Sequence, residues 1–226
     1  MSHHANITRI KAVNNALGAL KNDVVFVGGA TVSLYANRRA IEVRPTDDVD
    51  IVVEIASWHE YAKLEEQLRG MGFTNDVTSN FVGRYLLPGI IVDVMPTNEA
   101  ILGFSNAWYE SGFKNAIDYA IDEQHTVKIF SPPYFIASKL QAFKNRGNND
   151  GRISTDFEDI IFVLDNRSTI WEEMKNADDK VRTFLLEEFS ALHNHKYVEE
   201  WIEAHAGYSS PPSTLFILDE IRKFSE

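Results

Sequence analysis

The sequence predicts an α/β (α+β) fold in which strands and helices mix in the first half of the chain and helices alone follow. Short apolar runs that suit strands alternate with amphipathic segments in the first 130 residues. After Pro132 and Pro133 the apolar residues recur almost throughout at helical spacing. We therefore expect two domains, over residues 1–128 and 129–226.

In the first half, helices are expected where apolar residues are spaced three or four apart, and strands where apolar runs are short or alternate with polar residues. The expected helices cover 6–20, 30–36 and 58–71. The expected strands cover 24–27, 48–54, 81–87, 90–95 and 127–130. The turn at Pro88 and Gly89 separates two of these strands. In the second half, the expected helices cover 134–145, 156–165, 168–177, 179–205 and 212–224.

Composition limits the chemistry of the protein. Hydrophobic residues make up 44% of the 226 residues, enough for a substantial core. The chain has no cysteine, which excludes disulfides, thiolate–zinc sites and a cysteine nucleophile. Its net charge of −11 argues against strong non-specific binding to nucleic acid without a local basic patch. No apolar run approaches a membrane span, and the polar start lacks a signal peptide, so we expect a cytoplasmic protein with no membrane partner.

Two carboxylates open the second expected strand. Asp48 and Asp50 are two residues apart, so their side chains share one face of the strand. Close carboxylates repel each other and stay ionised together when a cation is shared between them. Oxygen ligands with no cysteine or histidine nearby suit Mg²⁺ or Mn²⁺. The simpler interpretation of such a pair is a cap or a solvated strand edge.

A third carboxylate, Asp93, lies in an apolar run, Gly89 to Met95. A strand of this kind is expected to be buried on both faces, where an ionised carboxylate needs a partner or a metal. On a strand adjacent to the first pair, Asp93 would complete a two-metal site and could accept a proton from an attacking hydroxyl. The simpler interpretation is a buried, hydrogen-bonded carboxylate.

A double glycine, Gly28 and Gly29, lies between the first expected strand and a short helix. Glycine allows the backbone to approach a phosphate closely, and the helix N-terminus with the Ser33 hydroxyl could bind phosphate oxygens. Such a pair is more often only a turn. Together, the glycines and the three carboxylates indicate phosphoryl transfer.

The order Gly28-Gly29, Asp48-x-Asp50, Asp93 resembles the signature of the DNA polymerase β-like nucleotidyltransferase superfamily. The stretch Phe26 to Ala30, with Arg44-x-Thr46 before Asp48, is similar to the AbiEii/AbiGii toxin group, a type IV toxin–antitoxin family. That group has a later helix with Lys-Leu-x-Ala and an arginine, then an Asp-x-x-Asp helix. These motifs correspond here to Lys139 to Ala142, Arg146, and Asp156 to Asp159. The resemblance covers roughly residues 24–165.

The resemblance implies a nucleotidyltransferase domain with a small mixed β-sheet flanked by helices, and a helical domain that completes the nucleotide and acceptor cleft. It implies Mg²⁺ or Mn²⁺ as cofactor and an NTP as substrate. The implied metal ligands are Asp48, Asp50 and Asp93. The implied catalytic residues are these three with Lys139 and Asp159. The implied nucleotide-binding residues are Gly28, Gly29, Ser33, Arg44, Thr46, Lys139 and Asp156.

The second half supports part of this interpretation independently of the family. Lys139 lies on the apolar stripe of its helix, so its ammonium needs a carboxylate or a phosphate unless it extends to solvent. Asp159 is the better carboxylate partner for it. Asp156 at a helix start is the kind of residue that usually caps or complements the helix dipole.

Three functions remain open at this stage. The first is transfer of NMP from an NTP to the tRNA 3′ end, as the toxin of a pair with a cognate antitoxin. Its basic footprint would comprise Arg38, Arg39, Arg44, Lys144, Arg146 and Arg152. The second keeps the reaction but uses an aminoglycoside-like small molecule or a protein as acceptor, with an acidic surface from 178–203 attracting a cation. The third is a non-catalytic partner-binding or antitoxin module.

Overall fold

A computed structural model describes residues 2–37, 43–103, 105–148, 150–207 and 213–226. It confirms the mixed α/β class, with a seven-stranded sheet, flanking helices and a helical C-terminal part. The strands are β1 (Val24–Val27), β2 (Asp48–Val53), β3 (Thr74–Asn75), β4 (Arg84–Leu87), β5 (Ile90–Pro96), β6 (Ala116–Ala120) and β7 (Thr126–Phe130). The α-helices are α1 (Ser2–Ala16), α2 (Trp58–Gly70), α3 (Glu99–Leu102), α4 (Tyr109–Lys114), α5 (Pro132–Arg146), α6 (Thr155–Asn166), α7 (Ile170–Lys175), α8 (Asp179–His193), α9 (Val198–Glu203) and α10 (Ser213–Ser225).

The sheet has the strand order β3-β4-β5-β2-β1-β7-β6. The pairs β2–β5 and β1–β7 are parallel, and the other neighbouring pairs are antiparallel. Strand β1 is buried along its whole length, as its apolar sequence predicts. Strand β2 therefore lies in the interior of the sheet, between β1 and β5, and any group on β2 or β5 has a rigid support.

The chain forms two compact units. Unit 1 contains residues 1–34 and 42–131, and unit 2 contains residues 35–41 and 132–226. Unit 1 holds the sheet, with Ile10, Val13 and Leu17 on the buried side of α1 and after its end. The expected boundary at residue 128 between two folding domains stays a prediction.

Unit 2 is a helical assembly with two aromatic clusters. In one, Phe143, Phe157 and Trp201 have ring centroids 5.1–5.7 Å apart. In the other, the rings of Trp171, Phe189 and Phe224 are 5.5–5.9 Å apart. Aromatic pairs at these distances add attraction beyond the area that they bury. The apolar stripes that predict the helices are thus packed against one another.

The helix expected over 179–205 is wrong in one respect, because it is two helices. Helix α8 ends at His193, and the Asn194 side chain donates a hydrogen bond to the Ser190 carbonyl (2.8 Å). Asparagine competes with the helix for backbone groups in this way. Helix α9 begins only at Val198, and the His195 ring stacks on Trp201 with centroids 4.0 Å apart.

Three further differences concern short elements. The segment after Gly28 is a 3₁₀ helix over Gly29–Tyr35, and the strand expected from residue 81 begins at Arg84. Strands β3 and β6 were not expected from the sequence. Both lie at the edges of the sheet and are partly exposed, so neither has the apolar run of a buried strand. None of the described helices has the length and apolar character needed to cross a membrane.

Candidate active site

The three carboxylates come together because of the register between β2 and β5. Asp50 is paired directly with Asp93 in this parallel ladder, and Asp48 lies two residues before Asp50 on the same face. Carboxylate oxygens of the three residues lie within 4.8 Å of one another. The alternate residues of β2, such as Val49 and Ile51, are fully buried on the opposite face. The aliphatic face therefore anchors the strand while the carboxylates share the other face.

The side chains of the cluster differ in their exposure to solvent. The Asp48 side chain is 35% exposed, whereas that of Asp93 is 10% exposed. Three carboxylates this close carry strong mutual repulsion, which a cation relieves. The donor set is entirely oxygen and includes two strand-held carboxylates with partial access to solvent, which fits a hard divalent cation such as Mg²⁺ or Mn²⁺.

Gly28 lies directly against this cluster. Its φ of +72° is in the left-handed region, and an added Cβ would lie 1.8 Å from Asp50 Oδ2. The Thr31 hydroxyl donates to the Gly28 carbonyl (2.9 Å), which holds the turn into the 3₁₀ helix. The glycine is therefore required both by backbone conformation and by the proximity of the carboxylate.

The neighbouring glycine lies close to a cation. A Cβ on Gly29 would lie 2.5 Å from Arg44 Nη2, so the guanidinium lies beside the turn. Ser33 is 5% exposed, and its hydroxyl has no hydrogen-bond partner among the described residues. The turn thus combines close backbone access, a positive charge and a buried hydroxyl, and the contact of these groups with phosphate stays a prediction.

Thr46 contacts the carboxylate cluster, and its expected binding of nucleotide stays a prediction. Its hydroxyl donates to Asp48 Oδ1, and its carbonyl accepts a hydrogen bond from the Arg9 guanidinium. Arg9 on α1 also lies 3.8 Å from Asp47. The Thr46 hydroxyl therefore helps to fix the orientation of the Asp48 carboxylate.

Arg84 is the residue at this site that the sequence analysis missed. Its Nε donates to Asp93 Oδ1 (2.8 Å) and its Nη2 to Oδ2 (2.7 Å), and Nη2 also lies 3.9 Å from Asp48 Oδ2. This two-pronged geometry is the strongest arginine–carboxylate arrangement. The hydrogen bonds to Asp93 raise the pKa of Arg84 further above its usual range, so the guanidinium stays charged.

A signal for Arg84 was present in the sequence. The two strands around Pro88 and Gly89 form a hairpin in which Leu87 pairs with Ile90. A two-residue turn fixes the register, and counting back three pairs puts Arg84 opposite Asp93.

In unit 2, the residues around Lys139 form a buried ion network. Lys139 Nζ lies 2.6 Å from Asp159 Oδ2 and 3.1 Å from Asp156 Oδ1, and all three residues are at most 5% exposed. The expected contact with Asp159 is therefore present, and Asp156 is a second partner. Arg146 also binds Asp156 through Nε (2.7 Å) and Nη2 (2.9 Å).

The network explains the electrostatics of Asp156. Burial alone raises its pKa, but the hydrogen bonds from Arg146 and the charges of Lys139 and Arg146 outweigh burial and lower the pKa to about 2. The N-cap of α6 is Ser154, whose hydroxyl accepts from the Phe157 amide. Asp156 is therefore an ion-pair residue in the first turn and does not supply the cap.

No protein-family model matches the sequence, and no curated protein matches it. Among solved structures, the chain is similar to the solution structure of the antibiotic-resistance factor ANT(2'')-Ia, a protein with substrate-regulated conformational dynamics. The similarity covers 87% of this chain and 99% of that chain, with a TM-score of 0.51 and 16% sequence identity. The two proteins share a fold.

Proposed function

We propose that the protein is a metal-dependent nucleotidyltransferase that transfers NMP from an NTP to an acceptor. The observation that carries the proposal is the cluster of Asp48, Asp50 and Asp93 beside the left-handed Gly28. The fold shared with ANT(2'')-Ia, an aminoglycoside nucleotidyltransferase, supports the same reaction class. The resemblance of the sequence motifs to the polymerase β-like superfamily supports it independently.

The carboxylates and the glycines of the site would have different roles in the reaction. Asp48 and Asp50 would hold Mg²⁺ or Mn²⁺, with Asp93 as the third ligand, and the cation would neutralise the triphosphate and polarise the transferred phosphoryl group. Gly28 and Gly29 would let the backbone approach the phosphates. The metal fits because the donor set is hard oxygen, and because the carboxylates lie within reach of one ion.

The chemical step has a clear proton balance. An acceptor hydroxyl oxygen bonds to the α-phosphorus, the bond from that phosphorus to the bridging oxygen breaks, and pyrophosphate leaves. The hydroxyl proton goes to a carboxylate, for which Asp93 is our candidate. A carboxylate has about four lone-pair sites, so the two hydrogen bonds from Arg84 leave sites for a metal and a proton.

One cation and one hydroxyl of unit 1 are candidates for phosphate contacts. Arg44 lies against Gly29, and the Ser33 hydroxyl is buried within the same turn. Lys139, Asp156 and Asp159 stay predictions as catalytic or nucleotide-binding residues. In the structure, the Lys139 ammonium is held by the two carboxylates, so a phosphate contact would require it to share or exchange these partners.

The first candidate for the acceptor of the NMP group is tRNA. The toxin-group resemblance favours the tRNA 3′ end, with a cognate antitoxin as partner. Against a large RNA footprint, three of its six proposed basic residues are in ion pairs: Lys144 with Glu188, Arg146 with Asp156, and Arg152 with Asp150. Arg38 and Arg39 lie outside the described residues.

A small cationic acceptor is the second candidate, and a specific observation favours it. The fold is shared with an aminoglycoside nucleotidyltransferase, and the segment 178–203 contains many carboxylates, which would attract a polycation. Salt weakens the binding of both charged acceptors, but to different degrees. Transfer to tRNA should weaken steeply with ionic strength in proportion to the phosphates contacted.

The test is calorimetric titration of each NTP with Mg²⁺ into the wild type and an Asp48→Asn/Asp50→Asn variant. We expect metal-dependent binding of an NTP that the double variant loses. Asp47→Asn is the matched control, because Asp47 is the adjacent carboxylate and its side chain is 93% exposed. A folded wild type that binds no NTP would refute the enzyme and favour the partner-binding module.

Transfer of label from the α-phosphate of the bound NTP then identifies the acceptor. Total tRNA and a panel of aminoglycosides are the two arms, each measured at low and high salt. Label on tRNA supports the toxin-like activity, and label on the small molecules supports the second candidate. The Asp48→Asn/Asp50→Asn variant should transfer to neither.

A further inference from the structure

The carboxylate cluster has an internal cation, and its geometry is more specific than an ordinary ion pair. Arg84 binds both oxygens of Asp93, at 2.8 and 2.7 Å, and the same guanidinium lies 3.9 Å from Asp48. The Arg84 side chain is 29% exposed and that of Asp93 is 10% exposed, so solvent screens the pair only in part. A positive charge therefore lies beside two of the three carboxylates proposed to bind metal.

A purely structural role for Arg84 explains less of this geometry. The β4–β5 hairpin already has four paired positions, from Arg84 and Asp93 to Leu87 and Ile90 at the turn. A cross-strand ion pair at the end of such a hairpin contributes modestly to the stability of the sheet. It does not require that the guanidinium also lie close to a carboxylate of β2.

We propose that Arg84 is a positioning residue that holds the Asp93 carboxylate and weakens the binding of divalent cations to the cluster while no nucleotide is bound. The inference rests on the proposed metal site, but it does not depend on the acceptor. Arg84 orients Asp93 through its two hydrogen bonds, and its charge repels an incoming cation. A triphosphate brings negative charge of its own, so full metal loading would accompany nucleotide binding.

The test measures metal affinity directly and needs no catalysis. Mn²⁺ is titrated into the full chain without nucleotide, and free Mn²⁺ is followed by electron paramagnetic resonance. We expect Arg84→Met to bind Mn²⁺ about tenfold more tightly than the wild type, because a unit charge a few ångströms from a divalent ion has a strong effect even when water screens it. A structural role alone would leave the affinity unchanged or lower it.

Two further variants separate charge from folding. Arg84→Lys keeps the charge and loses the two-pronged geometry, so its Mn²⁺ affinity should stay close to that of the wild type. Arg222→Met makes the same change in net charge at a residue whose partners are Asp219 and Glu226, and it should bind Mn²⁺ as the wild type does. Thermal unfolding of each variant shows that it is folded.

The outcomes distinguish this inference from the proposed function. Unchanged or weaker Mn²⁺ binding by folded Arg84→Met overturns the role of Arg84 and leaves the metal site in place. Binding by Arg84→Lys as tight as that by Arg84→Met overturns the charge argument. If neither the wild type nor any variant binds Mn²⁺, both the inference and the proposed metal site fail.

Discussion

Lys139→Met removes an ammonium that contacts two buried carboxylates and leaves an apolar side chain of similar length in its place. In the wild type, Lys139 lies 2.6 Å from Asp159 and 3.1 Å from Asp156. The variant keeps the bonds from Arg146 to Asp156, but the charge of Asp159 loses its close lysine partner in a site that is 1% exposed. We therefore expect most of the destabilisation to arise at Asp159.

Removing one partner of a buried ion pair typically lowers the free energy of unfolding by about 3–5 kcal/mol. Because Arg146 still neutralises Asp156, we expect the lower end, roughly 3 kcal/mol. Urea denaturation followed by far-ultraviolet circular dichroism measures the loss. Fluorescence adds a second probe, since Trp171 and Trp201 both lie in unit 2.

A double variant should recover part of the lost stability if the charge of Asp159 is the cause of the loss. Lys139→Met/Asp159→Asn also removes the negative charge that faced the lost ammonium, with little change in shape, so it should regain at least about 1 kcal/mol over the single variant. Lys223→Met is the control, because Lys223 pairs with Asp219 and Glu220 at the surface and should matter little. The reasoning is refuted if Lys139→Met is as stable as the wild type, or if the double variant is no better than the single one.

Two other predictions follow from single residues. Gly28→Ala should destabilise unit 1 and weaken Mn²⁺ binding, because its Cβ would meet Asp50 Oδ2 at a positive φ. Gly70→Ala is the control, because a Cβ there would have nothing within 4 Å. Urea denaturation and Mn²⁺ titration measure the two effects, and the control should change neither. For Asp156, the folded-state pKa is about 2 and the ordinary value is 3.8. This difference contributes about 2 kcal/mol of stability, which is complete above about pH 5 and is lost as the pH falls towards 2. The slope of unfolding free energy against pH over that window should be shallower in Asp156→Asn, and equal slopes would contradict the assignment.

The carboxylate cluster could be predicted because its ingredients are local. The spacing of Asp48 and Asp50 predicts that they share one face of a strand, and the apolar residues around Asp93 predict that it is buried. The motif resemblance implied that β2 and β5 are neighbours, because periodicity alone does not tell which strands pair. The structure supplies that register, with Asp50 opposite Asp93.

Other features depend on local hydrogen bonds and on burial, which compete with the periodic pattern of the sequence. The helical spacing from 179 to 205 persists through Asn194, yet the local hydrogen bond of that side chain and the burial of Val198 and Trp201 favour two helices. The sequence also favoured Asp159 over Asp156 as the partner of Lys139. Both carboxylates reach the ammonium because they are three residues apart on α6, and a single lysine can donate to more than one acceptor.

The hairpin of β4 and β5 also bears on the order in which this protein folds. Arg84 and Asp93 are nine residues apart, so their ladder can close within microseconds of the turn forming. The pairing of β5 with β2 spans α2 and the β3–β4 segment, and we expect it to be the slower event. We therefore expect Asp93 to reach β2 with Arg84 already paired to it, so that three like charges need not come together unscreened during folding.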